Sequence, residues 1–419
     1  MTCAHLCAPE STTRPRTGAC WRPHRRCPSG TEETTAVPTP AFDPLAPVRR
    51  DGDPECDVFV WGTVFLDIIM TGLEALPDGG QEVWATGMGS CPGGIANLAV
   101  AARRLGLRTS LAAAFGDDAY GDFCWETLAD EERVDLSRSR RFEGWHSPVT
   151  VSMAVDRDRG MVSHGHAPPL DATALIGEPP RSRAVMAELA PGRPLTGGTE
   201  PTWVEKARDA GALVFADVGW DPSGRWPKDV LDQLVVCDAF LPNAVEAMAY
   251  TRTRTPNEAL YVLADLVPLA VVTNGEEGAL AIDSRTGEEA VVPALRVDAL
   301  DPTGAGDVFG AAVVLGTVAG WPLSQRIGFA ALCSALAVQH FGGSLAAPGW
   351  GDIADWWHHL RDGAATDSYH RSLRRRYEFL DAVVPEVPIG AERRATATIA
   401  RHVDVEGYRP AATTRGEPA

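Results

Sequence analysis

The sequence predicts an α/β protein, a three-layer α/β/α sandwich with a mostly parallel central sheet and a small β-lid. Short apolar segments typical of buried strands alternate along the chain with stretches whose apolar residues recur at helical spacing. Strands that alternate with helices imply a largely parallel sheet covered on both faces. Two segments, about 67–88 and 142–166, break this pattern with alternating polar and apolar residues, which favours a small separate β-structure.

The first part of the folded region supplies a strand, a helix and a second strand. A buried strand that runs into a turn is predicted from DVFVWGTVFLDIIM, which begins at Asp57. A helix is predicted from GGIANLAVAARRLGL, because its apolar residues have helical spacing and Gly106 is a plausible stop. The next segment, RTSLAAAFGDD, is strand-like and leads into an acidic loop.

The alternation continues through the second half of the chain. Further strands are predicted at ALVFADVG (212–219), DAFLPN (238–243), LAVVTNG (269–275) and GALAIDS (278–284). Helical stretches separate most of them, including PTWVEKARDAG and NAVEAMAYTR. Two more helices are predicted from VFGAAVVLGTVAG and PLSQRIGFAALCSALAVQHF.

The folded domain is predicted to span residues 54–362. Residues 1–53 are rich in Pro, Thr, Arg and Ser and lack apolar periodicity, so we expect a disordered extension. The extension contains four cysteines, Cys3, Cys7, Cys20 and Cys27. Their spacing lacks the Cys-x-x-Cys pair typical of zinc sites, so disorder is favoured over a zinc site. Residues 363–419 are predicted to be a tail that is partly helical or disordered.

Charge and hydropathy limit the kinds of partner. The formal net charge of -18 argues against nucleic acid, because binding to a phosphate backbone requires clustered cations. No apolar run reaches the ~18 residues that a membrane span needs. The N-terminus also lacks an apolar signal core, so a cytoplasmic protein without membrane contact is predicted.

The most informative motif is Asp301-Pro-Thr-Gly-Ala-Gly-Asp307, which directly precedes an apolar helix. Gly304 and Gly306 permit a tight turn whose backbone N–H groups can point at an anion. The following helix adds the positive end of its dipole, so the motif can stabilise a transferring phosphoryl group. Asp307 is then placed to deprotonate an attacking hydroxyl. Taken alone, the motif also fits an ordinary glycine turn in which Asp307 accepts from helix N–H groups.

A second glycine motif, Gly93-Gly94-Ile95-Ala96-Asn97, opens the first predicted helix. Its glycines let the backbone approach a ligand closely. Asn97 offers both a donor and an acceptor to a polyol. Taken alone, this motif fits a glycine-rich helix start with Asn97 in solvent equally well.

Together, GGIANLAVAARRLG and DPTGAGD resemble the two signatures of the ribokinase-like (PfkB) carbohydrate kinase family. Other stretches agree with the family in order, and the resemblance spans about residues 56 to 350. They are WGTVFLD, for the first strand with a substrate-binding Asp at its end (Asp67); FGDDAYGD, for a Gly-Asp-Asp turn; PNAVEA, for the nucleotide and magnesium region (Asn243 and Glu246); and TNGEEG, for the nucleotide loop (Thr273, Gly275 and Gly278).

The resemblance implies transfer of the γ-phosphoryl group of ATP to a hydroxyl of a sugar or sugar derivative. Asp307 would be the base, and Gly304, Ala305 and Gly306 would form the anion hole. The acceptor would be held by Asp67, Gly93, Gly94 and Asn97, and the nucleotide by Asn243, Thr273, Gly275 and Gly278. Glu246 would act through water on Mg²⁺, whose charge offsets that of the phosphates. Many members also bind K⁺ through backbone oxygens near the residue matching Asp301, and their lid edges often pair across dimers, so K⁺ and a homodimer are hypotheses here.

The chain departs from the family in mid-sequence. Relatives often carry Asp-x-Asn-x-Arg, where this chain has Asp217-Val-Gly-Trp-Asp221. A phosphate-side arginine is therefore either missing or supplied by Arg225.

Two other functions stay open: a nucleoside kinase of the same fold and a non-catalytic sugar sensor. In the predicted lid, His164 and His166 favour a polyol site, whereas Trp84 and Trp145 leave room for a base clamp. The intact Asp307 argues against a sensor, which needs no base. A P-loop kinase is excluded because neither lysine of the chain follows a glycine.

Overall fold

The structure is a computed structural model, and it describes residues 42–155, 158–197, 199–221, 223–340, 342–363, 367–384 and 392–394. Most of the predicted N-terminal extension, including its four cysteines, lies outside the described residues. The same holds for residues 395–419 of the predicted tail.

The central sheet has eight strands, in the order β14-β13-β12-β11-β10-β9-β1-β4. The pairs from β12 through β4 are parallel, and β13 and β14 continue the sheet antiparallel. The predicted, mostly parallel sheet is therefore confirmed. The strands are β1 (Cys56–Trp61), β4 (Thr109–Ala112), β9 (Ser182–Leu189), β10 (Leu213–Val218), β11 (Ala239–Phe240), β12 (Leu269–Thr273), β13 (Ala279–Asp283) and β14 (Glu288–Val292).

Alternate strand residues enter two apolar cores, one on each face of the sheet. In β1, Val58 and Val60 pack into the first core and Phe59 into the second. The helices of the first face are α1 (Ile95–Arg104), α2 (Ala119–Glu126), α8 (Ala305–Val318), α9 (Leu323–Ala337), α10 (Trp350–Asp362), α11 (Ser368–Tyr377) and α12 (Leu380–Val383). Those of the second face are α3 (Ala172–Ile176), α4 (Trp203–Asp209), α5 (Asp229–Asp232), α6 (Ala244–Thr251) and α7 (Pro256–Ala264). This is the predicted three-layer sandwich. None of the described helices combines the length and the apolar character needed to cross a membrane.

A separate sheet of four strands forms the lid, in the order β3-β2-β7-β8. Its strands are β2 (Val64–Leu73), β3 (Gly87–Gly94), β7 (Val149–Val155) and β8 (Asp158–His164). A short parallel pair, β5 (Ala114–Gly116) and β6 (Arg140–Phe142), completes the strands of the described residues. The lid was predicted at about 67–88 and 142–166, and the observed sheet also takes in residues 64–66 and 89–94.

One strand prediction was wrong. The segment DVFVWGTVFLDIIM is two strands in different sheets, β1 and β2, rather than one strand that ends near Asp67. Gly62 and Thr63 separate them, and a side chain at Gly62 would come within 2.9 Å of the Cβ atom of Ile95. Asp67 therefore lies inside a lid strand and not at the end of a strand of the central sheet.

The packed region extends beyond both predicted domain boundaries. Leu45 precedes residue 54, yet it is fully buried in the first core. Tyr377 and Leu380 follow residue 362 and are fully buried in the same core. The Tyr377 hydroxyl donates a hydrogen bond of 3.1 Å to the Gly328 carbonyl of α9.

Candidate functional site

The site is built around the start of α8. Gly304 precedes the helix with φ +74°, a conformation that favours glycine. Ala305 and Gly306 are the first two residues of the helix, and a Cβ added at Gly306 would meet no atom within 4 Å. The Ala305 N–H donates to the Pro302 carbonyl at 3.2 Å, whereas Gly306, at the positive end of the helix dipole, is exposed. Asp307, in the same turn, is half-buried.

The start of α1 meets the start of α8. Gly94, with φ +62°, precedes α1, and a Cβ there would lie 2.4 Å from the Thr63 carbonyl oxygen. Asn97, one turn into α1, is buried and donates a hydrogen bond of 3.2 Å from its Nδ2 to Asp307 Oδ2. Its Oδ1 has no hydrogen-bond partner among the described residues. The two glycine motifs, about 200 residues apart in sequence, are thus in direct contact.

The lid contributes Asp67 to the same place. A Cβ added at Gly93 would lie 1.8 Å from Asp67 Oδ2, so the carboxylate occupies the space that a side chain on β3 would fill. Asp67 is buried within β2, and its strand partner on β3 is Cys91. A glycine at position 93 is therefore required for this position of the carboxylate, whether or not a ligand is bound.

The carboxyl group of Asp307 has a raised pKa. Burial raises its pKa to about 6, the hydrogen bond from Asn97 opposes this shift, and the negative charge of Glu188 adds to it. A carboxylate with a raised pKa accepts a proton more readily than an ordinary aspartate.

Two carboxylates that the sequence did not assign to the site also lie here. Burial raises the pKa of Asp217 well above its usual range, and three nearby carboxylates raise it further: Glu246, Asp307 and Glu188. Glu188 and Asp217 occupy matching positions near the carboxyl ends of β9 and β10. Ligand sites of parallel sheets form at this edge, so an acidic residue at the end of the apolar run AVMAEL is the signal that could have identified Glu188.

Asn243 and Glu246 cap α6. The Asn243 Oδ1 accepts from the Glu246 backbone N–H and the Glu246 Oε2 accepts from the Asn243 N–H, both at 3.0 Å. Burial raises the pKa of Glu246. The capping pair accounts for both residues structurally, and it leaves Glu246 Oε1 available for another contact. Thr273, at the end of β12, lies beside Asn243 through a backbone bridge.

Gly275 and Gly278 form the turn between β12 and β13. Gly278 has φ +103°, and a Cβ there would lie 2.0 Å from the Val292 carbonyl oxygen. Gly275 has φ +51° and open space around its Cα. Backbone conformation alone thus favours glycine at both positions.

Asp301 is buried just before the α8 turn. Its Oδ1 accepts from the backbone N–H of Thr303 at 2.9 Å and from the Thr303 hydroxyl at 2.6 Å. Its Oδ2 accepts from the Gly342 N–H at 3.4 Å. Asp301 therefore connects the α8 turn to the chain that follows α9.

A cavity of about 540 Å³ lies at the carboxyl ends of β9 and β10. Glu188, Trp220 and Arg225 are among its lining residues. The Asp221 carboxylate accepts hydrogen bonds from Ser223, Arg225 and Trp226 and shapes the loop that bears Arg225.

Known proteins resemble this chain over most of its length. Ribokinase of Schizosaccharomyces pombe is 28% identical over 314 residues, which cover 70% of this chain and 95% of that protein. Aminoimidazole riboside kinase of Salmonella typhimurium is 29% identical over 290 residues, with 62% and 85% covered. The structure of Arabidopsis thaliana ribokinase complexed with ribose and ATP superposes with a TM-score of 0.58 at 22% identity, covering 72% of this chain and 98% of that chain.

The sequence profile described as "pfkB family carbohydrate kinase" matches residues 57–349. This match begins at β1 and includes both glycine motifs, α8 and α9. The chain belongs to the pfkB family of carbohydrate kinases.

Proposed function

We propose that this sugar kinase uses ATP as donor and Asp307 as the general base. One observation carries the proposal: the half-buried Asp307 carboxylate, with its raised pKa, is hydrogen-bonded to Asn97 at the start of a helix whose first turn is exposed at Gly306. The superposed Arabidopsis ribokinase is a complex with ribose and ATP, which supports the choice of donor.

In this mechanism Asp307 accepts the proton of a sugar hydroxyl as its oxygen attacks the γ-phosphorus. The bond between that phosphorus and the β,γ-bridging oxygen breaks, and ADP leaves. The anion hole is the turn of Gly304, Ala305 and Gly306, in which the Gly306 N–H and the positive end of α8 stabilise the charge of the transferring group, since the Ala305 N–H already donates to the Pro302 carbonyl. Asp67 and Asn97 hold the acceptor, and Gly93 and Gly94 allow it close to the backbone.

The donor side is formed by the ends of β11 and β12. We assign Asn243, Thr273, Gly275 and Gly278 to the nucleotide because they lie together at this edge of the sheet. We assign Mg²⁺ to Glu246, together with Asp217, because the charge of Glu246 acts on the Asp217 carboxyl and a cation would offset the repulsion between them. When bound, Mg²⁺ would also offset the charge of the phosphates. For K⁺, backbone oxygens near Asp301 remain the proposed site.

We also propose that two copies of the chain pair through their lids. β8 is an edge strand of the lid, and it carries the exposed apolar side chains of Met161 and Val162. Trp84, between β2 and β3, is 84% exposed. Sedimentation of the purified protein tests this pairing, and a monomer at micromolar concentration would contradict it.

The proposed function is tested by ADP release across pentoses, hexoses, sugar acids and nucleosides. We expect at least one sugar or sugar derivative to be phosphorylated, with release of ADP from ATP. Turnover on nucleosides alone would contradict the proposed acceptor.

The Asp307→Asn variant tests the base. Its kcat should fall by about 10²–10⁴-fold, with both KM values within a few-fold of the original, because an amide keeps the shape but cannot take the proton. The exposed Asp362, at the end of α10, provides an Asp→Asn control that should leave kcat unchanged. Retention of full turnover by Asp307→Asn would overturn the assignment.

A further inference from the structure

The segment 342–347, which follows α9, touches several parts of the site and is called the 342–347 loop here. Its Gly342 N–H donates to Asp301 Oδ2 at 3.4 Å. A Cβ added at Gly343 would lie 3.0 Å from Asn97 Oδ1. The Ser344 hydroxyl donates to the Pro92 carbonyl, next to Gly93. The loop thus contacts α1, β3 and the turn before α8 at once.

Leu345 adds an apolar contact with the lid. It forms a small buried cluster with Ile69 of β2 and Cys91 of β3. Ile69 is two residues from Asp67, so both side chains lie on the same face of β2. Apart from one 3₁₀ turn at Gly343–Ala346, the loop has no regular secondary structure of its own.

A buried guanidinium group holds this loop from the other side. Arg104, at the end of α1, is 3% exposed, and its Nη1 donates to the carbonyl oxygens of Leu345 at 2.8 Å and Ala347 at 2.7 Å. Its Nε and Nη2 donate to the Glu132 carboxylate at 2.9 and 2.6 Å. One side chain therefore fixes two loop carbonyls relative to a charged partner, which needs the planar, forked geometry of arginine.

Arg104 and Asn97 belong to the same helix and are seven residues apart. Seven residues are about two turns, so both side chains lie on one face of α1. The loop consequently meets α1 twice, at Asn97 near the reacting groups and at Arg104 two turns away. Both contacts are made by one helix, which fixes the distance between them. A change at Arg104 that moves the loop can therefore also move the part of the loop that lies against Asn97.

We propose that Arg104 is a positioning residue for phosphoryl transfer, which it serves by holding the 342–347 loop against Asn97 and Asp301. The inference rests on the proposed role of Asp307. The loop lies against the buried Asn97 amide that donates to Asp307, and it thereby fixes the position of that donor. Apolar residues in place of a buried ion pair are often neutral or favourable for stability, but they could not donate to the two loop carbonyls that Arg104 holds.

The Arg104→Lys variant is the central test. Lysine keeps the charge, but its single nitrogen cannot span Glu132 and both loop carbonyls. The kcat should fall at least ~10-fold, because a misplacement of 1 Å can cost about 10²-fold. The acidic limb of the kcat/KM profile should also move to higher pH, because an Asn97 amide that the loop no longer holds in place loses the hydrogen bond that lowers the pKa of Asp307.

The matched control is Glu132→Gln, which removes the charge on the far side of Arg104 and leaves both loop contacts in place. Its thermal unfolding midpoint should fall, while its kcat and acidic limb stay close to those of the original protein. Equal changes of kcat and of the limb in both variants would overturn the proposal, because a general loss of stability would then explain them.

A second variant keeps the test decisive if Arg104→Lys does not fold. Ser344→Ala releases the same loop from Pro92, and it should lower kcat and move the acidic limb in the same direction. A folded Ser344→Ala protein with unchanged kcat and limb would overturn the proposal. Absence of turnover by the original protein on every sugar would instead overturn the proposed function.

Discussion

Two opposing influences act on the carboxyl group of Asp307, and their balance sets the pKa of this proposed base. Burial destabilises the charged carboxylate and raises its pKa to about 6, whereas the amide of Asn97 stabilises that charge. Since only the deprotonated carboxylate can accept a proton, activity should rise with pH through this value.

The Asn97→Ala variant should shift this profile. Without the hydrogen bond that lowers the pKa of Asp307, the pKa rises, and the acidic limb of kcat/KM moves to higher pH. The measurement is kcat/KM between pH 5 and 8, on the best sugar found.

Asn243→Ser is the control for this shift, because serine retains the helix cap of α6. The value of kcat/KM can change in this variant, but its acidic limb should stay at the same pH. The phosphates of the donor ATP ionise in the same way with every variant, so their ionisation does not cause a difference between the limbs. An unmoved limb in Asn97→Ala, or a limb at lower pH, would contradict the assignment of this titration to Asp307.

At the scale of single residues, local spacing predicted several residues of the candidate site. Gly304, Asp307 and Asn97 belong to short motifs whose geometry follows from nearby sequence, and the structure brings them together. The short motifs did not predict that Glu188 and Asp217 lie near Asp307. The acidic end of the apolar run AVMAEL could have identified Glu188, but the alignment of β9 and β10, which places it beside Asp217, is not encoded locally.

At the scale of elements, the start of α8 combines two glycines with different requirements. Gly304 has a positive φ, and a Cβ on it would lie 3.2 Å from Asn97 Cγ. Gly306 has ordinary helical surroundings and faces open space. The first glycine is thus required by the fold of the turn, whereas the second leaves room for a ligand.

Alanine at each position should separate these requirements. Gly304→Ala should lose about 1–2 kcal/mol of stability, the cost of a left-handed conformation for a residue with a Cβ. Gly306→Ala should keep or raise the thermal midpoint, since alanine favours a helix, while its turnover falls at least ~10-fold because the methyl group intrudes where the phosphoryl group would lie. Thermal melting measures the stability of both variants, and steady-state kinetics measure their turnover. Unchanged turnover in Gly306→Ala would contradict the proposed anion hole.

Element types were predicted better than element partners. Apolar runs identified β10 and β12 and the long helices, because periodicity is a local property. The split between β1 and β2 was not predicted, because only Gly62 and Thr63 interrupt the apolar run there. The antiparallel pairing of β13 was not predicted either, because the direction of a strand depends on how short its connection is.

At the scale of the whole molecule, residues before and after the segment that matches the family profile complete the first core. Phe42 packs edge-on against Trp350 with ring centroids 5.0 Å apart, and Tyr377 packs against Trp356 at 5.0 Å. Leu45 and Leu380 are fully buried in the same core. Composition did not predict this, because isolated apolar residues in polar segments carry no periodic signal.

Tyr377 offers a test of this packing. Tyr377→Ala should lose about 3–5 kcal/mol, the usual cost of removing a large buried aromatic side chain. Tyr377→Phe keeps the ring and loses only the hydrogen bond to Gly328, so about 1 kcal/mol is expected. Chemical unfolding monitored by circular dichroism distinguishes them. Equal, small losses in the two variants would show that α11 contributes little to the core.

The late position of α11 and α12 in the chain affects biosynthesis. While a ribosome is still translating the codons before Ser368, the nascent polypeptide already contains α9 but not the helices that cover it. Domains tend to fold as units during translation, and exposed apolar surface in incomplete chains promotes aggregation. A message truncated at this point should therefore yield a product that depends on chaperones, even though it encodes every residue assigned to catalysis.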